Sequence, residues 1–419
     1  MRTRSHLTSR GILGMADRNV PAIVLGSDVT GLGALRCLAM AGIPAYVACP
    51  EGDLATRSRW FGATPGTPWD GKIGRGTEEA LRAMPLDEAV LIPGADDAAL
   101  WLADLPAGDL AQKFHVSTSS RRTLEILQDK TEFARFLLAA GIPHPRTYSI
   151  ASAEEIDAIP FDELDRVFIK PANSQRFSQI IGKKGIWVHS RQELADIWRR
   201  LDGQGFKLMA QEYVPGTSAD HYFIDGFRDR DGRLTGLLAR RRIRIFPPDF
   251  GNSSYCVSIP LEEIAQAVES ITRLLSELRY RGIFSAEFKR DARNGDFRIL
   301  EVNTRAWWYV EFAALCGVNV CEMAYQDALG LPVTVASRDY RTGKGCVNLY
   351  GDIKTVLAQD TTTRDPIWRI LGQWARSHTH AFRFRDPAPG LSIVGGIGAN
   401  YLRRFVGRKP PQPREKGAQ

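Results

Sequence analysis

The sequence lacks three features that would narrow its class at once: a CxxC cysteine pair, a long apolar run and an internal repeat. Its six cysteines are scattered, which excludes a disulfide framework and a paired-cysteine metal site and is typical of a reducing, cytoplasmic compartment. No apolar run approaches the roughly 18 residues that a membrane-spanning helix needs. The basic N-terminus has no apolar core of the kind found in signal peptides. We therefore interpret residues 1–18 as a disordered leader, within which Met15 is an alternative start.

The sequence has a modest excess of positive charge, with a formal net charge of +7 and an isoelectric point near 9.1. With 44% hydrophobic and 25% charged residues, the composition is that of a globular protein, and the length allows two or three domains. The charge suits an anionic ligand as well as it suits nucleic acid. Because no base-stacking module or zinc finger accompanies the basic residues, we predict no nucleic-acid partner.

The first part of the chain alternates between strands and helices, which predicts a parallel sheet covered by helices in an α/β domain over residues 19–117. Apolar runs predict the strands, and helical patterns follow two of them. The strands are expected at 21–27, 44–49 and 88–94, and the helices at 30–42 and 95–105.

Glycines follow the first predicted strand, but Gly26, Gly31 and Gly33 do not have the GxGxxG spacing of a dinucleotide site. No acidic residue ends the second strand, where a ribose would need one. We interpret these glycines as a tight turn that packs the helix on the sheet.

The middle of the chain changes to long β segments. A helix is predicted from Asp129, and Gly141 and Pro143 end it. An amphipathic helix is predicted at 261–279, and the chain becomes helical after residue 318. The strands are expected at 166–172, 185–189, 206–214, 220–229 and 233–246, followed by a hairpin of "GIFSAEFKRD" and "DFRILEVN".

That hairpin carries acidic residues, and its turn decides where they point. If Asn294 and Gly295 form a two-residue turn, Glu287 lies opposite Val302 and away from the face of Glu301. Both carboxylates are then solvated residues at the rim of the sheet.

A three-residue loop at 293–295, with its glycine in the left-handed conformation, gives a second register. Glu287 then lies opposite Glu301, and Ser285 lies opposite Asn303. Like charges in that arrangement need a cation between them, and these oxygen ligands suit a magnesium ion that keeps waters and phosphate oxygens. The hairpin alone leaves both registers open.

Other polar groups lie on or next to apolar strands, and each has an ordinary structural interpretation beside a functional one. Lys170 is a snorkelling edge residue or a ligand-binding cation. The polar loop that returns at Lys184 either connects two strands or covers phosphates. The segment "QEYVPG" (211–216) is a plain strand exit or an edge that meets a flat heterocycle.

Three arginines, Arg240, Arg242 and Arg244, alternate along one face of the predicted strand 233–246. Aligned guanidinium groups repel one another unless anions or carboxylates lie across from them. The strand therefore presents either a solvated basic face or a site for phosphate and carboxylate.

Taken in order, these pieces resemble the ATP-grasp superfamily over residues 21 to about 330. The motifs are "DK" (129–130), "FIKP", "QEYVPG", "EFKRD" and "LEVNTR", and together with "RRRIRIFPPDFG" they are most similar to a branch of predicted ATP-dependent carboligases, or carboxylate–amine ligases. The resemblance implies an α/β and α+β fold: a pre-ATP-grasp domain, an ATP-grasp domain over 118–335 with a small subdomain at about 150–212, a helical C-terminal extension over 336–407 and a flexible tail at 408–419.

The resemblance also implies roles for individual residues. The expected ligands of Mg²⁺, or of Mn²⁺ in its place, are Glu287, Glu301 and Asn303. The resemblance therefore favours the second hairpin register, in which Glu287 lies opposite Glu301. The residues expected to bind ATP are Lys130, Lys170, Lys184, Gln211, Glu212, Val214 and, for the ribose, Asp220. The arginines expected at the reacting phosphate and acyl group are Arg305, Arg240 and Arg242.

The implied activity is a carbon–nitrogen ligation in which ATP converts a carboxylate into an acyl phosphate that an amine attacks. The alternatives are a nucleotide-binding regulatory protein without ligase activity and a carboxylase-type enzyme. Biotin carboxylation is disfavoured because "AWWYVE" lacks the Gln-x-Glu pattern that follows the arginine there. The implied partners are a small carboxylate and an amine.

The C-terminal segment 390–409 has two interpretations. We prefer a packed or frayed terminal segment to the alternative of a weak membrane-surface helix.

Overall fold

The computed structural model describes residues 20–66, 68–164, 166–171, 185–201, 208–248, 251–359 and 364–395. The predictions for Lys184, for the leader 1–18 and for the tail 408–419 lie outside the described residues. For Lys170 the backbone is described, and its side chain is not.

The N-terminal domain is a parallel sheet with helices around it, as predicted. Its strands pair in the order β2-β1-β3-β4, and β1 is buried along its whole length, which is typical of a parallel sheet covered on both faces. The strands are β1 (Ala22–Leu25), β2 (Ala45–Ala48), β3 (Ala89–Pro93) and β4 (Phe114–His115), and the helices are α1 (Asp28–Met40), α2 (Thr77–Ala83) and α3 (Asp96–Leu102).

The glycines after β1 allow close packing, as the sequence predicted. A side chain on Gly31 would clash with the carbonyl oxygen of Gly26. A Cβ atom on Gly26 would lie 2.9 Å from the Cα atom of Gly94 at the end of β3. These contacts hold α1 against the two central strands.

A small antiparallel sheet follows, with strand order β5-β8-β6-β7. Its first strand, β5, was not predicted, because its sequence TYSI is too short and too polar to stand out. The elements are α4 (Arg121–Gln128), α5 (Lys130–Ala139), β5 (Thr147–Ile150), α6 (Ala153–Asp157), β6 (Val167–Pro171), β7 (Ile186–Val188), α7 (Arg191–Leu201) and β8 (Leu208–Glu212).

The large sheet has seven strands among the described residues, in the order β13-β12-β9-β10-β11-β14-β15. Its elements include the predicted hairpin β12–β13 and an unpredicted β11, whose serines hide the apolar pattern. They are β9 (His221–Arg228), β10 (Leu234–Phe246), β11 (Asn252–Ile259), α8 (Ala265–Glu277), β12 (Gly282–Arg290), β13 (Phe297–Asn303), α9 (Val310–Cys316), α10 (Val320–Ala328), β14 (Gly345–Val347), α11 (Leu349–Ala358), α12 (Ile367–Ala375) and β15 (His378–Thr379).

The C-terminal extension is helical, as predicted, but it also adds two short strands to the large sheet. A buried ion network fixes it to the rest of the chain. Asp386 accepts hydrogen bonds from Arg36 in α1 and from Ser58, each at 2.8 Å. Glu311 in α9 pairs with Arg36 at 3.2 Å and with Arg383 at 2.7 Å. The network therefore joins the N-terminal domain, the helix α9 that follows β13, and the C-terminal extension.

None of the helices in the described ranges combines the length and the apolar character that crossing a membrane would require.

Candidate functional site

The hairpin β12–β13 has the second of the two predicted registers, in which its two acidic residues lie opposite each other. Ser285 pairs with Asn303, and Glu287 pairs with Glu301. The route to this register differs from the predicted one, because the Asp291 amide donates to the Asp296 carbonyl at 2.8 Å and extends the pairing beyond the two strands, which leaves a loop of four residues, 292–295, instead of three. The predicted loop length is therefore wrong, and a β-bulge between the turn and the acidic pair restores the expected pairing.

The bulge is visible in the burial of β13. Phe297 and Ile299 point into the core, and after Leu300 the buried positions shift to Val302. A bulge inserts one extra residue, which exchanges the two faces of the strand beyond it. Glu301 is exposed as a result, on the face opposite the apolar core.

Asp291 closes the turn of this hairpin as a buried carboxylate. Arg293 binds it at 2.7 Å and Arg298 at 2.9 Å. The hydrogen bonds from Arg293 hold the pKa of Asp291 at about 2, below its ordinary value of 3.8. The ionised carboxylate of Asp291 therefore stabilises the turn, and protonation removes that contribution.

Replacing Asp291 by asparagine should lower the free energy of unfolding by about 2 kcal/mol at neutral pH. Because the folded pKa is lowered, the stabilisation is present above pH 4 and is lost as the pH falls toward 2. Urea unfolding of the two proteins should therefore give free energies that converge over this range. A constant difference down to pH 2 would contradict the assignment.

One face of the large sheet is polar around the acidic pair. Strand pairing aligns Asp225 of β9 with Ser285, and the Ser285 hydroxyl donates to the Asp225 carboxylate at 2.6 Å. The opposite face carries Ile224, Ala286 and Val302, which pair across three strands and belong to the main apolar core. The alternation of the strands thus collects the polar groups on the side away from the core.

Glu287 is ionised and held by two neighbours. His221 Nδ1 lies 2.6 Å and Arg242 Nη2 lies 3.1 Å from the same atom, Oε1 of Glu287. Burial disfavours the charge, but Arg242 and the hydrogen bond from His221 outweigh it and lower the pKa of Glu287 to about 2. Among the residues that the structure describes, no donor reaches Oε2, so that oxygen is available to a ligand.

Arg240, Arg242 and Arg244, which share one face of β10, are buried and each has a carboxylate partner, so the solvated basic face is excluded. Arg240 binds Asp225 at 2.7 Å, and Arg242 binds Glu287. Arg244 binds Asp352 of α11 at 2.7 Å, so it attaches the C-terminal extension. Two of the three arginines therefore border the polar face.

Two buried donors near this face have no hydrogen-bond partner among the described residues. They are Nη1 of Arg240 and Nε1 of Trp307. The Arg240 guanidinium also lies 4.4 Å from the centre of the Tyr309 ring. Unpaired buried donors are costly, and a ligand with acceptor oxygens would satisfy them.

Arg305 lies at the open end of β13 and reaches another domain. Its Nε is 2.9 Å from Oδ1 of Asp96, the first residue of α3, and its Nη2 is 3.3 Å from Oδ1 of Asn303. Both Asp96 and Arg305 are partly accessible, and pairs of this kind contribute little to stability. The arginine can therefore exchange Asp96 for an anionic ligand.

The predicted ATP-binding residue Lys130 belongs to a segment that contacts this end of the sheet. Lys130 begins α5, next to the N-cap Asp129, which accepts from Thr131 N at 2.8 Å. Gln128, just before it, donates to the hydroxyl of Thr304 at 3.2 Å. The α4–α5 junction is therefore attached to the strand end between Asn303 and Arg305.

The predicted adenine edge lies at the end of β8. Gln211, Glu212 and Val214 are buried there. The Glu212 amide donates to the Arg146 carbonyl at 2.8 Å, so that amide is already used within the protein. The Glu212 carboxylate binds Arg293 at 2.7 Å. In this arrangement a ligand would therefore contact Glu212 through its backbone carbonyl group.

Asp220, predicted at the ribose, has a structural role in the structure. Its Oδ2 accepts from the Thr217 amide at 2.7 Å and from the Thr217 hydroxyl at 2.9 Å, which caps the turn Ser218–Asp220. Nearby, the Lys289 ammonium lies 4.0 Å from the Tyr213 ring centre. Burial, opposed by Asp220, lowers the pKa of Lys289 to about 8.

The donor set suits a hard cation that keeps other oxygen ligands. Among the described residues no group of three His, Cys, Asp or Glu side chains could hold a metal ion. Glu287 and Glu301 face each other, however, and the amide oxygen of Asn303 lies on the neighbouring position of the same face. Two carboxylates and an amide fit Mg²⁺ with phosphate or water oxygens completing its shell.

The sequence interpretation missed several residues of this face. His221, Asp225 and Lys289 were not singled out, although the alternation of "HYFID" placed the first two on one face of a strand. Asp96 gave no signal, because its contact with Arg305 spans 209 positions in the chain.

No protein-family model matches the chain. It is similar to the D-aspartate ligase of Enterococcus faecium, with 24% identity over 213 residues, which are 48% of this chain and 50% of that protein. It is also similar to the arginine-specific large chain of carbamoyl phosphate synthase from Bacillus subtilis, with 28% identity over 199 residues, 45% of this chain and 18% of that protein. The chain thus spans half or less of the length of these curated relatives.

Solved structures share the fold. Carboxyaminoimidazole ribonucleotide synthase from Aspergillus clavatus, complexed with ATP, superimposes with a TM-score of 0.58 at 12% identity, covering 78% of this chain and 81% of that one. The L-amino acid ligase from Bacillus licheniformis gives a TM-score of 0.56 at 14% identity, covering 78% and 79%. The chain therefore has the fold of the ATP-grasp superfamily, as its sequence resemblance predicted.

Proposed function

We propose that the chain is an ADP-forming carbon–nitrogen ligase that activates a carboxylate as an acyl phosphate and joins it to an amine. The observation that carries this proposal is the pairing of Glu287 with Glu301 on a polar face that continues to Asn303 and Arg305. In an ATP-grasp fold, such a face suits a nucleotide triphosphate with its cation. Two of the similar proteins are by name ligases of amino acids.

The nucleotide would lie between the small sheet and the polar face. We assign its phosphates to Lys130, Lys170 and Lys184, and its base to the segment at Gln211–Val214. The carbonyl of Glu212 is the acceptor that remains there for an exocyclic amino group. Asp220 would reach a ribose hydroxyl through Oδ1, since Oδ2 caps the preceding turn.

Glu287, Glu301 and Asn303 would hold Mg²⁺, or Mn²⁺ in its place. The bound ion would neutralise the phosphate oxygens of ATP as charge moves onto ADP. Glu287 would use Oε2, because Arg242 and His221 fix its other oxygen. These neighbours also keep the carboxylate ionised and oriented.

The chemistry asks for positioning and charge compensation, so no nucleophilic side chain is needed. A substrate carboxylate oxygen attacks the γ-phosphorus and the bond to the ADP oxygen breaks. The amine nitrogen then attacks the acyl carbon, loses a proton, and inorganic phosphate leaves. Arg305 would bind the transferred phosphate after releasing Asp96, and the free Nη1 of Arg240 would bind the substrate's oxygen.

We assign the reaction to the cytoplasm. All six cysteines are unpaired thiols, which suits a reducing compartment that supplies ATP.

The test is ADP release from ATP and Mg²⁺ with pools of carboxylic acids and amines, using amino acids and amino sugars among them. Hydroxylamine is added in a parallel reaction to trap the acyl phosphate as a hydroxamate. We expect ADP release that depends on one carboxylate, and a hydroxamate of that acid. Nucleotide binding without turnover or hydroxamate in any pool would instead identify a regulatory protein.

Arg305→Ala should lower this turnover about 100-fold or more, because charge on the transferred phosphate loses its partner. Arg273→Ala is the matched control, since Arg273 also forms a partly exposed ion pair, with Glu277 at 2.8 Å. Equal activity of the two variants would contradict the assignment of Arg305 to the transferred phosphate.

A further inference from the structure

The C-terminal extension carries most of the large apolar side chains that the described part of the chain exposes. Twelve of the sixteen lie in it, and Trp368 and Phe384 are 69% and 94% exposed. Singly exposed apolar residues are ordinary, but a concentration of this kind marks a binding surface. The twelve are Leu349, Tyr350, Ile353, Leu357, Ile367, Trp368, Leu371, Phe382, Phe384, Leu391, Ile393 and Val394.

These side chains follow the helical period on the outer faces of two helices. On α11, Leu349, Ile353 and Leu357 recur every four residues, while Asp352 and Val356 point inward. On α12, Ile367, Trp368 and Leu371 are exposed with the spacing i, i+1 and i+4, while Ile370 is buried. Both helices are therefore amphipathic with a second apolar face that no described element covers.

The helices are held firmly, so the exposed faces belong to a folded unit. The buried carboxylate of Asp352 in α11 binds Arg244 of the large sheet at 2.7 Å and accepts from Ser254 at 2.7 Å. It also accepts from Nε1 of Trp374 in α12 at 2.7 Å. One carboxylate thus fixes both helices to the sheet and directs their other faces outward.

The sequence after residue 348 contains the whole charge excess of the chain, and six of its twelve basic residues lie beyond residue 395, outside the described residues. Twelve of the 55 Lys and Arg residues lie after residue 348, but only five of the 48 Asp and Glu residues do, so the rest of the chain is electrically balanced. Of these acids, Asp352 and Asp386 are buried in ion pairs, and Asp365 pairs with Arg369 at 3.0 Å. Exposed basic residues border the apolar faces: Lys354, Arg369, Arg376 and Arg385.

We propose that this basic apolar surface, α11, α12 and residues 382–394, binds the interface of an anionic phospholipid bilayer. Such an interface accepts apolar side chains at the level of the acyl chains and places phosphates beside the arginines, and Trp368 suits its polar boundary. A second copy of the chain is a less suitable partner, because pairing two of these surfaces would bring like positive charges together. Nucleic acid would leave the apolar side chains in water. The proposal is independent of the ligase activity.

The experiment is flotation of the full-length chain with vesicles of phosphatidylcholine that contain about one third phosphatidylglycerol. We expect the chain to float with these vesicles at low salt, and the bound fraction to fall as salt screens the charges. Vesicles of phosphatidylcholine alone should bind about tenfold less. Absence of flotation with the anionic vesicles would overturn the proposal.

Two double variants locate the contact. Trp368→Ser with Leu371→Ser should lower vesicle binding about tenfold, since it removes apolar insertion. Leu138→Ser with Val335→Ser is the matched control, because these two residues are similarly exposed, at 73% and 69%, but lie outside the extension. Equal losses in both would contradict the location. Light scattering without lipid measures whether the chain forms a dimer. If the wild-type chain and the control variant are dimers and Trp368→Ser with Leu371→Ser is a monomer, the surface binds a second copy of the chain, and the lipid proposal is wrong.

Discussion

Glu301→Gln is expected to lower ADP release about 100-fold or more while leaving the stability of the fold unchanged. Glu301 is exposed, and none of the hydrogen bonds between described residues involves its side chain, so removing its charge should cost the fold almost nothing. Its position opposite Glu287 gives it one evident use, which is to bind a cation together with that carboxylate. The measurement pairs turnover with a thermal unfolding midpoint.

Glu263→Gln is the control for this variant, because Glu263 is also an exposed glutamate, in the turn before α8. It should keep full turnover and the wild-type midpoint. If Glu301→Gln behaved in the same way, Glu301 would be a solvated rim residue, and the metal site assigned to the hairpin would be wrong.

Asp386→Asn is expected to lower the free energy of unfolding by about 3–5 kcal/mol. Asp386 accepts from Arg36 at two nitrogens, from Ser58 and from the Arg59 amide, and it is 1% exposed. Asparagine has the same shape but no charge, so it leaves the Arg36 guanidinium with less compensation in a buried site. Urea unfolding at neutral pH measures the loss.

Asp365→Asn provides the contrast, because its pair with Arg369 is partly exposed and links the residue before the N-cap of α12 to the first turn of that helix. Exposed pairs contribute about 0.2–1 kcal/mol. A similarly small loss for Asp386→Asn would mean that the extension is not held by the Arg36 network.

The sequence predicted the strands β9, β10, β12 and β13 around the site, because they are apolar and are separated by turns or loops that contain glycine or proline, but it missed β11 beside them. It could not decide the hairpin register, since turn length alone gave two answers. The correct pairing of Glu287 with Glu301 arises from a longer turn and the extra residue Leu300, and the two offsets compensate. A bulge of this kind has no local composition signal, so only the resemblance to a family favoured the right register.

The partners of the arginines were beyond sequence reasoning for a different reason. The alternation of Arg240, Arg242 and Arg244 showed that they share a face, and it left open whether that face was solvated or lay against anions or carboxylates. Asp352, the partner of Arg244, lies more than a hundred positions away, and the pairing became visible only once the extension was packed on the sheet. Arg305 and Asp96 are similar, because they meet only where two domains join.

The central claim is that the polar face activates a carboxylate as an acyl phosphate, and oxygen transfer tests it most directly. The carboxylic acid identified by the ADP screen is prepared with heavy oxygen in its carboxylate, and the inorganic phosphate released with the amine present is analysed by mass. We predict one labelled oxygen in each phosphate, because the acid oxygen stays on phosphorus when the amine takes the acyl group. ADP release that yields only unlabelled phosphate would contradict the account.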